Sequence, residues 1–194
     1  SPVSKKSNVH LFWKLSNYQN QIAEYVQSHE HLWRLSAINE SQKYLANEGL
    51  VDRAITRELN WGIDIPIKDF ETKKVYVWID AVLGYISAGK KFCIEHGLNW
   101  EDFYKDSPDL DSYYVHGKDN IPFHTIIFPA LLLALNENYQ LPNHIVSSQF
   151  LNIANEKISK SKGNGIAVKD LLKEYSSDSI RYLSLIHISE PTRH

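Results

Sequence analysis

Cysteine is nearly absent: of 194 residues only Cys93 is one, set in Lys90-Lys91-Phe92-Cys93-Ile94. A lone cysteine excludes an intrachain disulfide and a cysteine-paired zinc site, and its apolar neighbours suit a small core residue. No apolar run approaches the roughly 20 residues that a membrane-spanning helix requires, and residues 1–6 hold no apolar signal core. A cytoplasmic chain with no membrane partner is expected. Charge of one sign is scarce too, since 21 basic and 23 acidic residues leave a net −2. The chain as a whole has no strong attraction for nucleic acid, so an RNA contact has to be local or made by parts outside this stretch. Internal repeats and low-complexity tracts are missing. What is there, 43% hydrophobic and 23% charged residues, is the ordinary make-up of one globular domain with a buried core.

Apolar groups at helical spacing predict two helices between residues 17 and 49, through Ile22, Tyr25 and Val26 and then Leu32, Leu35, Ile38, Tyr44 and Leu45, with Gly49 as the stop. Before them, residues 9–13 alternate partly and predict a strand leading to a helix capped by Ser16. Strands are predicted at 75–79, 112–116 and 145–153. Helices are predicted at 81–96, ended by Gly97, at 122–136, at 168–175 and at 177–183. Alternating strand and helix implies an α/β fold, a parallel sheet covered by helices, with ligands beyond the carboxyl ends of its strands.

The stretch richest in chemistry is Lys157-Ile158-Ser159-Lys160-Ser161, followed by Lys162-Gly163-Asn164-Gly165. Three lysines and two serines supply charged and neutral donors, and the glycines let the backbone bend toward a ligand, which suits a loop gripping pyrophosphate. A solvated turn has the same composition. The nine histidines form no ligand set: His29 and His31 are too close to share a helical face, and His116, His124 and His144 show no ligand spacing. A metal site is not expected.

The lysine loop resembles the KMSKS signature of class I aminoacyl-tRNA synthetases, with Ile158 in the Met place. Val75-Tyr76-Val77-Trp78-Ile79-Asp80-Ala81-Val82-Leu83-Gly84-Tyr85 and His116-Gly117-Lys118-Asp119-Asn120-Ile121-Pro122-Phe123-His124 resemble segments of the methionyl-tRNA synthetase family, in matching order and spacing, over residues 52–183. The resemblance implies a Rossmann-like parallel sheet with flanking helices. Residues 1–165 would be the C-terminal part of the catalytic nucleotide-binding domain and 166–183 the start of a helical stem-contact region. Residues 184–194 drop the amphipathic pattern and read as a non-native tail. No HIGH-like tetrapeptide occurs, which marks a fragment expected to be inactive alone. The family often carries a zinc knuckle, and zinc is expected only in an N-terminal part not contained here.

The same resemblance implies a methionine pocket at Trp78, Ala81, Tyr85, Asn120 and His124, where aromatic walls would attract a thioether sulfur. Trp78 on a buried strand would serve equally as a core residue. Many family members have Pro in place of Val82 and some an apolar residue in place of Asn120, and Val82 is expected to loosen the entry of its helix. Gly117 and Asp119 are implied to contact ATP. Gly117 allows close backbone approach, and Asp119 can accept hydrogen bonds from ribose hydroxyls or simply cap the next helix. Arg57 is implied to order the site by pairing with Asp119, and Leu151 to offer its backbone to adenine. Lys157 and Lys160 are the candidates for stabilising charge on the leaving pyrophosphate, Lys160 first, with Ser159 and Ser161 shaping the loop. ATP with Mg2+, methionine and tRNA(Met) are the implied substrates and partners of the whole enzyme. Two alternatives stand beside this reading. One is another class I synthetase for Leu, Ile, Val or Cys, although the gap from Trp78 to Gly117 leaves no room for an inserted editing domain. The other is a non-catalytic ATP-binding relative.

Overall fold

A computed structural model of the chain describes residues 8–46, 48–149, 152–153, 156–157, 163 and 165–186. The chain opens with β1 (Phe12–Trp13), a 3-10 turn at Leu15–Tyr18, α1 (Gln19–Ser28) and α2 (Leu35–Ala46). Gly49 follows at φ +78, the left-handed conformation that suits a stop after a helix. Ser16 caps neither helix nor turn. Its Oγ lies 2.7 Å from Asp52 Oδ1 instead, and Lys14 pairs with the other oxygen of that carboxylate at 2.8 Å. These bonds, Lys14 first, hold Asp52 down to about 2. β2 (Arg53–Ala54) pairs antiparallel with β1, and β3 (Thr56–Glu58) pairs antiparallel with β4 (Lys73–Val75).

The strand expected at 75–79 ends at its first residue. From Val77 the chain is helical, and α3 runs Val77–Glu95 with Gly97 at φ +67 just beyond. A five-residue run of β-branched and aromatic groups fits a strand or a helix start equally well, and here the helix wins. Because α3 begins at Val77, Val82 is not at its entry. The Val82 side chain is 2% exposed, in a core cluster with Ile86, Phe128 and Leu132.

After α4 (Glu101–Tyr104) comes β5 (Tyr113–Gly117), then a 3-10 turn at Lys118–Asn120, a π-helical turn at Phe123–Ile127, and α5 (Phe128–Leu135). α5 is apolar on every side and carries both core clusters: Ala130 packs with α1 and α2, Phe128 and Leu132 with α3. β6 (His144–Ser148) runs parallel to β5, from Tyr113 opposite His144 to Gly117 opposite Ser148. This is the one parallel pair among the described residues, the kernel of a Rossmann-like α/β fold. The remaining described pairs are antiparallel. The Tyr25 hydroxyl donates to the Pro142 carbonyl at 2.7 Å, and Trp33 Nε1 to that of Asn143 at 2.7 Å, fixing α1 and the turn after it to the entry of β6.

β6 also stops short of the expected 145–153. β7 (Asn152–Ile153) and β8 (Glu156–Lys157) form a separate antiparallel hairpin, so the lysine loop follows a hairpin, whereas the other two motifs sit at strand-to-helix junctions. Of the helix expected at 168–175 only α6 (Val168–Leu171) is regular, and α7 (Ser177–Ile186) continues past residue 183.

Candidate functional site

Helical spacing brings part of the predicted pocket together. Trp78, Ala81 and Tyr85 stand at i, i+3 and i+7 of α3, and so share one face. Opposite them lies the π turn, whose origin is local. Pro129 has no N–H for the carbonyl of Thr125, and the turn before it widens so that the Phe128 N–H reaches the Phe123 carbonyl. Widening presents two successive residues to α3. The Phe123 ring stacks on Trp78 at 4.2 Å between centroids and 19° between planes, and His124 Nε2 lies 2.9 Å from the Tyr85 hydroxyl.

The hydrogen bonds fix the tautomer of His124. Its Nδ1 is 2.8 Å from the Asn120 carbonyl and must donate, which leaves Nε2 to accept the Tyr85 O–H. Asn120 thus enters the site through its backbone. His124 is 3% exposed, and burial, against the Asn120 carbonyl, lowers its pKa to about 4. At neutral pH the ring is an uncharged acceptor. His116, on the face of β5 shared with Tyr114, stacks on His124 at 4.1 Å and is also held below its usual pKa by burial. The Nε2 of His116 is enclosed with no hydrogen-bond partner among the described residues. It belongs to this aromatic group, a place the sequence does not signal, because strand alternation carries no information about the helix facing it.

Asp119 does not cap. The 3-10 turn at Lys118–Asn120 has no side-chain cap, and the Asp119 carboxylate has no hydrogen-bond or ion-pair partner among the described residues. It is exposed just past the carboxyl end of β5. Gly117 has φ −73, open to any residue, and a Cβ there would meet nothing within 4 Å, so its glycine leaves clear space over the strand end. Arg57 does not pair with Asp119. Its Nη1 donates to the carbonyls of Thr56 (2.8 Å) and Ala54 (3.0 Å), and its guanidinium lies over the Tyr76 ring at 3.9 Å. Arg57, Trp78, Phe123 and Asp119 nevertheless wall one cavity of about 400 Å³. A second hollow, of about 420 Å³, shares Tyr44, Asp119 and Pro122 with the first and is closed by α2 and Gln149. Tyr85 and His124 lie outside both. Lys157 is placed on β8; Lys160, Ser159, Ser161 and Leu151 lie outside the described residues. Among the described residues no group of three or more His, Cys, Asp or Glu could hold a metal ion, and no helix is long and apolar enough to cross a membrane.

A parallel strand pair with an open glycine and a carboxylate unpaired among the described residues at its carboxyl end, flanked by an aromatic helix face, lies where open α/β sheets bind ligands. The family model described as tRNA synthetases class I (M) matches residues 1–193, and the chain belongs to that family. Relatives that it matches carry the name methionine–tRNA ligase. It is 47% identical over 184 residues to methionine–tRNA ligase 1 of Alkaliphilus oremlandii (strain OhILAs), covering 95% of this chain and 33% of that protein. Against methionine–tRNA ligase of Bacillus cereus (strain B4264) it is 42% identical over 192 residues, 98% of this chain and 35% of that protein. Among solved structures, Mycobacterium tuberculosis methionyl-tRNA synthetase in complex with methionyl-adenylate superposes with a TM-score of 0.69 at 27% identity, over 90% of this chain and 32% of that one. The chain spans about a third of the length of the relatives it matches.

Proposed function

We propose that this chain is the part of a methionine–tRNA ligase that holds ATP and methionine for activation, and that the full-length protein makes methionyl-adenylate and passes the methionyl group to tRNA(Met). The observation that carries the reading is Asp119: an unpaired carboxylate at the end of β5, walling two hollows at once, beside the Trp78 face. The methionine side chain lies along Trp78, Ala81 and Tyr85, where aromatic faces attract its sulfur. Behind Tyr85, neutral His124 fixes the hydroxyl by accepting its hydrogen bond. A charged ring there would burden an apolar pocket, which gives the low pKa a role. Asp119 accepts from the ribose hydroxyls of ATP, and Gly117 lets the nucleotide approach the strand end.

In the chemical step a carboxylate oxygen of methionine bonds to the α-phosphorus, the bond to the bridging oxygen breaks, and pyrophosphate leaves. The hydroxyl at the tRNA terminus then attacks the carbonyl and AMP departs. Charge gathers on the leaving oxygens, so the chemistry needs positioning and cations. Lys160 and Lys157 supply the cations, Leu151 offers backbone to adenine, and ATP enters as its magnesium complex. Arg57 orders the wall between β3 and Tyr76 through backbone carbonyls. Residues 1–165 form the catalytic portion, and the helices from residue 166 onward begin the helical region facing the tRNA stem. We place the reaction in the cytoplasm. The test is amino-acid-dependent ATP–pyrophosphate exchange by the full-length protein with Met, Leu, Ile, Val and Cys side by side. Exchange with Met alone is expected; exchange with another of the five reassigns the specificity, and none with any makes the chain a non-catalytic relative.

A further inference from the structure

Gly89 stands inside α3, where glycine weakens a helix relative to alanine and calls for a packing reason. The reason is Tyr104. A Cβ at Gly89 would overlap the Tyr104 hydroxyl and lie 2.5 Å from the ring carbon that bears it, so the tyrosine fills the space of the missing side chain. From that seat the hydroxyl donates to the Tyr85 carbonyl at 3.0 Å, one turn back along the helix. Gly89 also continues the face of Trp78, Ala81 and Tyr85 by one further turn, so Tyr104 closes the far end of that face.

The other end of Tyr104 is fixed to a different helix. The Gln140 N–H donates to the Tyr104 carbonyl and the Asp106 N–H to the Asn138 carbonyl, each at 2.9 Å. Beside them Lys105 Nζ donates to the Glu137 carbonyl at 2.6 Å and lies over the Tyr139 ring at 3.9 Å. These partners follow directly after α5. Tyr104 therefore spans from the end of α5 to the middle of α3, packed against the cluster of Val82, Ile86, Phe128 and Leu132 that joins the two helices. Those helices carry the two walls of the pocket, Trp78 and Tyr85 on α3, Phe123 and His124 on the turn leading into α5. The 2.9 Å contact of Tyr85 with His124 needs one spacing between them, because a hydrogen bond holds only over a narrow range of distance.

We propose that Tyr104 is a positioning residue for the methionine pocket: anchored to the segment after α5 and seated on Gly89, it sets the spacing at which Tyr85 meets His124. The proposal rests on the reading that this pocket takes methionine.

The experiment is methionine-dependent ATP–pyrophosphate exchange by the full-length protein and by Tyr104→Phe, Gly89→Ala, Tyr104→Ala and the double variant Gly89→Ala with Tyr104→Ala, reading both KM values, kcat and the thermal midpoint. Tyr104→Phe keeps the ring and loses one hydrogen bond, so the methionine KM is expected to rise about threefold at an unchanged midpoint. Gly89→Ala drives the ring off its seat and is expected to raise it about tenfold, with the KM for ATP within about twofold. With Tyr104 already removed, the added methyl has nothing to displace, and the double variant is expected to match Tyr104→Ala. A methionine KM unchanged in both single variants overturns the proposal. So does an equal rise in both KM values, which would make the contact general packing, and so does a double variant whose effects simply add. Wild type without methionine-dependent exchange removes the proposed activity and this role with it; wild type that exchanges while the variants keep its methionine KM removes the role alone.

Discussion

Trp78 and Tyr85 occupy one helix face but do different physical work. Trp78 is a flat apolar wall already stacked on Phe123, whereas Tyr85 is 43% exposed and held by its hydroxyl to His124. On the proposed reading, removing the wall removes contact with the thioether of methionine without touching nucleotide groups. Trp78→Ala in the full-length enzyme is therefore expected to raise the KM for methionine at least tenfold with the KM for ATP within about twofold. Steady-state exchange kinetics check it, and an unchanged methionine KM would reduce Trp78 to a core residue. Lys160 is proposed to act on the other substrate. Lys160→Ala is expected to slow adenylate formation by about two to three orders of magnitude, as loss of one transition-state donor does, with methionine affinity unchanged. Near-normal single-turnover rates would rule that role out.

At the scale of the element, the π turn is the device that aims Phe123 and His124 at α3, and it exists because residue 129 is proline. Pro129→Ala supplies the missing N–H, so the turn can tighten to the α-helical pattern and rotate both side chains away from their partners. The expected outcome is a several-fold rise in methionine KM with an equal or higher denaturation midpoint, since the helix gains a hydrogen bond that proline cannot make. A variant with unaltered methionine KM would show that the turn does not set the pocket. α3 carries a second lesson at this scale. Its first turn was legible only as an apolar β-branched run, and period alone cannot separate a short strand from a buried helix start. The consequence is functional, because i, i+3 and i+7 place Trp78, Ala81 and Tyr85 side by side, whereas a strand through residue 79 would have set Trp78 on a different element from the other two.

For the whole molecule, burial of neutral histidines ties stability to pH. His29, His116 and His124 are each lowered, chiefly by burial, so the unfolded chain binds more protons than the folded one as pH falls below about 6.5. Stability is fully present above that point and declines toward pH 4, where His124 itself is protonated. For His124 alone, a fall from 6.5 to about 4 corresponds to a loss of about 3 kcal/mol. Denaturant midpoints at pH 7 and pH 5 should differ in that direction for wild type, and the difference should shrink in His124→Gln. Equal wild-type midpoints would contradict the buried neutral state.

Residue order alone determined the motif positions, a helix through most of 81–96 with its glycine stop, an apolar helix ahead of Asn136, strands starting near residues 112 and 145, and the lone buried cysteine. These are local: period, stop signals and short motifs act over a few residues. Only the tertiary structure decided that Asp119 has no partner among the described residues, that Arg57 turns to backbone carbonyls, that His116 stacks on His124, and that α2 brings Asn39 to the strand end beside Gln149. Asn39 and Gln149 are about a hundred residues apart in the chain, and no local propensity encodes their meeting. The packing of α1 and α2 against α5 and β6 decides it, because burying those apolar faces together fixes where the polar faces of the same elements must point.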